Sequence, residues 1–238
     1  MKTNILYIIL IALCISSCNV DNIRVNDTIT SREISYTNYD AIEIANGFKA
    51  YVTFSDTEES IKIEANDNLH EHIIVTNNDN TLKVKVKNNV NIKGSATINV
   101  YITTRIINSF KASSDAKIYL QNVLIANNAK IRLAADSYFS GEINVDNLEF
   151  SGSADTKADL YGFVDNLDLD LSADSKMYDY DLIVNNLKID MSADCKAYLT
   201  VNETIDIDAV ADCTLYYKGN ADITHQNLRA DSRIIKVD

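Results

Sequence analysis

Proline is missing from this 238-residue chain and glycine occurs only 6 times, while 46% of the residues are hydrophobic. These absences exclude a disordered chain and suit a folded all-β protein. Basic residues are scarce as well: 22 Lys and Arg stand against 34 Asp and Glu, a formal net charge of −12. Nucleic acid and anionic membrane surfaces are therefore poor partners. No nucleophile elbow, Walker loop, dinucleotide fingerprint or H-E-x-x-H occurs, which removes the enzyme classes those motifs serve. Histidine is limited to 3 residues, and His70 and His72 flank Glu71 with no third ligand nearby. They are expected to be solvated surface residues, and no metal centre is expected there. The one helix-like stretch, residues 68–72, is very short.

Long apolar runs are confined to the start. Lys2 is followed by Ile5 to Leu13, a run too short to span a membrane and remain there. Residues 1–17 fit a secretory signal, and Ile15-Ser16-Ser17-Cys18 fits a bacterial lipobox, with cleavage before Cys18 and lipid attached to it. The alternative is an ordinary signal with an incidental cysteine. Polar residues 18–38 are then expected to be a tether, and residues 39–238 the folded domain.

What is abundant is repetition. Aspartates recur at 115, 136, 155, 174, 194, 212 and 231, with spacings by subtraction of 21, 19, 19, 20, 18 and 19. Within a copy, apolar or small residues alternate with polar ones, as in Leu187, Ile189, Met191, Ala193, Cys195, Ala197 and Leu199. A period of two means extended chain with one buried face, and a single coil cannot bury that face alone. A leucine-rich repeat has a comparable period, but its L-x-x-L-x-L-x-x-N frame is missing. The expected fold is an all-β, right-handed parallel β-helix of about 19–20 residues per coil. Residues 110–238 form regular coils, and 39–109 form an N-terminal β cap over their open edges. Small residues around each aspartate mark a tight corner, where Asp can bond its own backbone.

In-register coils turn repeated residues into columns. Asp174, Asp194 and Asp212 form one, Asp170, Asp190 and Asp208 a second, Lys157, Lys176 and Lys196 a third, and Tyr178, Tyr198 and Tyr216 a fourth. Stacked like charges repel. Either the lysine two residues on offsets each corner aspartate, or Ca²⁺ sits between carboxylates of adjacent coils. Against calcium, the glycine-rich nonapeptide of calcium-binding rolls is missing. The tyrosines either stack on sugar rings or form a ladder that stabilises the coils. Cys195 and Cys213 share one slot in consecutive coils, about 5 Å apart at strand spacing, so they either bridge or remain free in a ladder of small buried residues.

Asn46-Gly47-Phe48-Lys49-Ala50-Tyr51-Val52, Ser151-Gly152-Ser153-Ala154-Asp155 and Tyr217-Lys218-Gly219-Asn220-Ala221 resemble the auto-transporter adhesin head, or GIN domain, family. The likeness runs from about Tyr39 to Val237. It implies an exported or anchored bacterial β-helix protein and supplies no catalytic residue. The family usually carries Ser-Gly-Ser-Gly at the corner, where this chain mostly has Ser-Ala-Asp. Ala and Asp tolerate positive φ less well than Gly, so the corner dihedrals are expected to differ.

The resulting expectation is a non-catalytic, lipid-anchored protein of the cell envelope, at the outer membrane or cell surface. It would bind glycan or an envelope or host protein along the face bearing Tyr178, Tyr198, Tyr216, Asp174, Asp194, Asp212, Lys176 and Lys196. Membrane contact would come through the lipid on Cys18 only, and no cofactor is required. A polysaccharide-active β-helix enzyme and a passive structural component are the alternatives. An enzyme needs one coil that breaks the pattern, and none is visible.

Overall fold

The structure is a computed structural model that describes residues 20–238; the signal segment and Cys18 lie outside them. It is nearly all β and contains a parallel β-solenoid of about seven turns. Each coil has three walls. The first contains Ala41–Ala45, Ser109–Ser113 and residues 130–134, 149–153, 168–172, 188–192 and 206–210, each paired in register with the next. A corner follows, and then a second wall that includes Lys49–Phe54, Lys117–Leu120, Lys176–Tyr178 and Thr214–Lys218. A third wall, residues 124–126, 143–145, 162–164 and 182–184, returns the chain to the first.

Alternation explains the packing. On the first wall Phe110, Ile131, Phe150, Leu169, Ile189 and Ile207 point inward and are at most 2% exposed. The residues between them face solvent. Sixfold repetition of an inward stripe makes one continuous core running the length of the stack.

The corner residues take positive φ although most of them are not glycine. Ala154 and Asp155 take φ of 62° and 61°, Ala193 and Asp194 take 60° and 61°, and the other Ala-Asp corners are alike. Asn46 and Gly47, at 60° and 74°, make the same turn in the first coil. The cause is the ladder of backbone bonds. Two left-handed residues let the Asp155 N–H donate to the Ala173 carbonyl at 2.9 Å and the Asp194 N–H to the Ala211 carbonyl at 2.8 Å. Each left-handed non-glycine residue costs about 1–2 kcal/mol, and each backbone bond contributes about 0.5–1.5 kcal/mol net. The corner alone is near break-even, so the packed coils on both sides hold it.

The N-terminal part is threaded out of order. Ala41–Ala45 pairs with Ser109–Ser113 on one side and Thr81–Val86 on the other, so residues 41–54 are already a coil. Between them the chain builds the cap: Ile98–Thr104 lies beside Lys49–Phe54, Ser60–Asn66 runs antiparallel to it, and Ile29–Ile34 runs antiparallel to that. Ile73–Asn78 closes the first wall in the same way, antiparallel to Thr81–Val86. The expected tether 18–38 thus carries structure: Asp21–Arg24 pairs with Val90–Lys93, and Ile29–Ile34 is an edge strand. Edge strands bury little, which is why ITSREI shows no clean alternation. The 3₁₀ helix Asp67–His72 packs beneath this strand, where His70 is buried and its Nε2 lies 3.2 Å from the Thr30 carbonyl oxygen. His70 is therefore a core residue, not a solvated one.

Candidate functional site

The predicted columns exist. Lys157, Lys176 and Lys196 are in register on the second wall, as are Asp170, Asp190 and Asp208 on the first. Asp174, Asp194 and Asp212 stand exposed at the corner between these walls. No ion pair within 4.0 Å joins any of these three to Lys176 or Lys196 among the described residues, so the lysines do not neutralise the corners by direct contact. Ion pairs occur instead on the first wall: Lys83 meets Glu43 at 2.6 Å, Lys130 meets Glu149, and Lys188 meets Asp168 at 4.0 Å. Burial alone would raise the Glu43 carboxyl, but Lys83 and Lys111 more than offset it and hold the group below the usual range. Asp190 is pushed up by burial and by Asp208, Asp170 and Asp168, with only Lys188 opposing.

Tyr178, Tyr198 and Tyr216 stack along the axis, with centroids 6.2 and 4.8 Å apart and planes within 12° and 3°. Tyr180 meets Tyr198 edge-on. Both faces of Tyr198 are thereby covered by its neighbours, which favours the ladder over a platform for sugar rings. Burial and the two flanking tyrosines push the Tyr198 hydroxyl up. A second ladder, unnoticed in the sequence, lies on the same wall: Tyr101, Tyr51 and Tyr119 stack at 5.1 and 5.4 Å.

Cys195 and Cys213 are unbridged and fully buried. They continue an inner column that begins with Ser137, Thr156 and Ser175. Ser175 Oγ donates to the Ser172 carbonyl at 2.8 Å, and the Cys195 and Cys213 Sγ atoms make the same bond to Ser192 and Val210 at 3.2 and 3.3 Å. Each thiol does the work of a hydroxyl at the inside of the corner. Burial pushes the Cys195 thiol up to about 12 and raises Cys213 too. Thiolate is the reactive form, so peptide-resolved alkylation should leave both residues unmodified in native protein and modify both in denaturant. Native labelling at the denatured rate would contradict this packing.

A concave feature lies elsewhere, where the third wall turns into the first. It is a groove of about 850 Å³ that crosses several coils. Its floor carries Asn128, Asn147, Asn166, Asn186 and Thr204, stacked in register. The Nδ2 of Asn147, Asn166 and Asn186 donates to the preceding amide oxygen at 3.2, 3.1 and 3.2 Å, and Thr204 Oγ1 donates to Asn186 Oδ1 at 2.8 Å. Each amide oxygen keeps a second lone pair. One side of the groove is lined by Lys130, Glu149, Asp168, Lys188 and Asp206. None of these was singled out from the sequence as a site, although Asn128, Asn147, Asn166 and Asn186 recur at 19, 19 and 20 residues.

Several solved structures share this architecture. A "putative adhesin" from Bacteroides fragilis superposes with a TM-score of 0.78 at 17% identity, covering 90% of this chain and 97% of its own. A "putative lipid binding protein" from Parabacteroides distasonis gives 0.74 at 15% identity, covering 92% and 100%. A "putative adhesin" from Parabacteroides merdae gives 0.71 at 18%, also covering 92% and 100%. At such identities the likeness is one of fold. No curated protein sequence matches. The family described as "Putative auto-transporter adhesin, head GIN domain" matches residues 38–221, and the chain belongs to that family.

Proposed function

We propose that this protein is a non-catalytic binding module of the cell envelope, anchored through lipid on Cys18, and that its groove holds a linear glycan. The observation that carries this reading is the asparagine ladder beside a wall that carries both Lys and acid. Sugar hydroxyls both donate and accept. Here each repeat of the floor offers an amide acceptor, and the wall offers lysine donors and carboxylate acceptors. A site periodic along one axis suits a polymer with its own repeat. Catalysis fits less well. Glycoside hydrolysis sets an acid and its partner carboxylate on either side of one bond, whereas Glu149 and Asp168 follow each other along one wall and each faces a lysine.

A second reading rests on the outside of the third wall, where Ile125, Phe163 and Ile183 stand exposed on aligned strands, with Asn144 in register between Ile125 and Phe163. That strip suits acyl chains, and one similar structure is described as lipid binding.

The test is a glycan array with the full chain, the variant Asn147→Ala/Asn166→Ala and the variant Tyr178→Ala/Tyr198→Ala/Tyr216→Ala. The expected result is roughly tenfold or greater loss in the asparagine variant, equivalent to about 1.4 kcal/mol, with binding kept in the tyrosine variant. Loss confined to the tyrosine variant would move the site to the second wall. Silence on the array together with co-sedimentation on zwitterionic vesicles would favour the lipid reading.

A further inference from the structure

The last coil breaks the pattern, as the one before it does between Val184 and Asn186. Ile223 pairs with Ile205, but the next partners are Asp206 and His225, so Thr224 is an extra residue and forms a bulge. Strict alternation would put His225 on the same side of its strand as Ile223. The inserted residue reverses that, and His225 lands on the outer side, opposite Asp206. Thr224 Oγ1 donates to the Ile205 carbonyl at 3.1 Å and so covers an acceptor beside the bulge.

His225 meets two carboxylates there. Ligand atoms of Asp206, Asp208 and His225 lie within 4.8 Å of one another, the one such set of three among the described residues. His225 Nε2 is 3.7 Å from Asp208 Oδ2, while the other oxygen, Oδ1, accepts a hydrogen bond from Asn227 Nδ2 at 2.5 Å. An amide thus fixes the carboxylate and leaves one oxygen turned to the imidazole, as the outer partner of a metal ligand does. Asp190 stacks directly beside Asp208 and adds charge of the same sign. Lys188, the closest cation in register with Asp206, is engaged with Asp168. Arg229 adjoins the cluster but makes no ion pair within 4.0 Å.

We infer that Asp206, Asp208 and His225 form a binding site for a divalent transition metal of the zinc or manganese type, set at the end of the asparagine groove. The donor set decides the class. An imidazole with carboxylates suits zinc, manganese or iron, whereas calcium prefers oxygen alone. Three protein ligands leave a position open. Asp206 and Thr224 also line the groove, so the open position borders the place where the glycan of the proposed function would lie. An oxygen of that ligand is the natural fourth donor; this last step rests on the groove reading, and the metal site itself does not.

The experiment is isothermal titration of the full chain, free of any affinity tag and stripped by chelator, with ZnCl₂, MnCl₂ and CaCl₂ and no glycan present. One equivalent of zinc or manganese should bind, and calcium much more weakly. Binding should fall at least tenfold in His225→Ala and in Asp208→Asn, and about tenfold in Asn227→Ala, the size expected for an outer partner. All three side chains are at least partly exposed, and circular dichroism checks that each variant folds. Absence of zinc and manganese binding overturns the site. So does calcium binding as tight as zinc, or zinc binding unchanged in His225→Ala, since either would mean diffuse attraction to the acidic column. Repeating the glycan array with chelator separates the two readings: glycan binding that survives while metal is lost keeps the groove and removes only the fourth donor.

Discussion

Gly162→Ala should lower the thermal midpoint by roughly 6–20 °C, from about 3–5 kcal/mol of strain at 2–4 °C per kcal/mol in a chain this size. Gly162 sits where the second wall turns into the third, at φ +108°. A Cβ there would meet the Ile143 carbonyl oxygen at 2.2 Å. That oxygen belongs to the neighbouring coil's backbone and cannot rotate away. The dihedral is also one that side chains avoid. Gly219 repeats the arrangement, at φ +93° with the Val201 carbonyl oxygen at 2.2 Å, and should behave alike. Gly47→Ala is the control: at φ +74° its added carbon would meet only Ile98 Cδ1, at 3.7 Å, so it carries the unfavourable dihedral without the clash. Thermal melts followed by circular dichroism decide the matter. A Gly162→Ala midpoint within about 2 °C of wild type, under 1 kcal/mol, would mean that adjacent coils slide apart more easily than their ladder bonds imply.

These glycines mark how far the sequence discloses the structure. The period of two and the aspartate spacing are local properties of the chain, and they carry the solenoid and the stacking of Tyr178, Tyr198 and Tyr216 directly, because coils of nearly equal length must align equivalent residues. The coil at residues 41–54 is harder to recognise. Its corner is Asn46-Gly47, and its partner strand begins at Ser109, beyond the inserted cap. The asparagine ladder hides for a different reason. Polar residues at a wall corner look like ordinary turn residues, and only stacking turns them into the floor of a groove. Its regular spacing was available, but the aspartate repeat is the more conspicuous one. His225 was out of reach altogether. Alternation assigns it to the inner side, and nothing in Ile223-Thr224-His225 announces the bulge that reverses it. The cysteines lie between these cases: their shared slot was legible, and the choice between bridge and free thiols depended on where Sγ points, toward the Ser192 and Val210 carbonyls.

Phe139→Ala should destabilise by about 3–5 kcal/mol, the usual range for removing a buried aromatic ring. Phe139 comes from the second wall and Phe110 from the first, and both are fully buried. Their rings meet edge-to-face at 5.2 Å and 82°, so the contact crosses the inside of the solenoid and also joins neighbouring coils. Ile118 and Ala158, the register partners of Phe139, are already packed and cannot swing in to fill the space. In a stacked array stability is a sum of coil terms and nearest-neighbour terms. The loss should therefore concentrate at this one junction. Combined with Phe110→Ala, the two effects should depart from additivity by about 0.5–1.5 kcal/mol, the range for an aromatic pair. Combined with Leu199→Ala, several coils away, they should add within about 0.5 kcal/mol. Guanidinium unfolding of the two four-member cycles measures both. Coupling as strong with Leu199 as with Phe110 would show that the core responds as one body, not coil by coil.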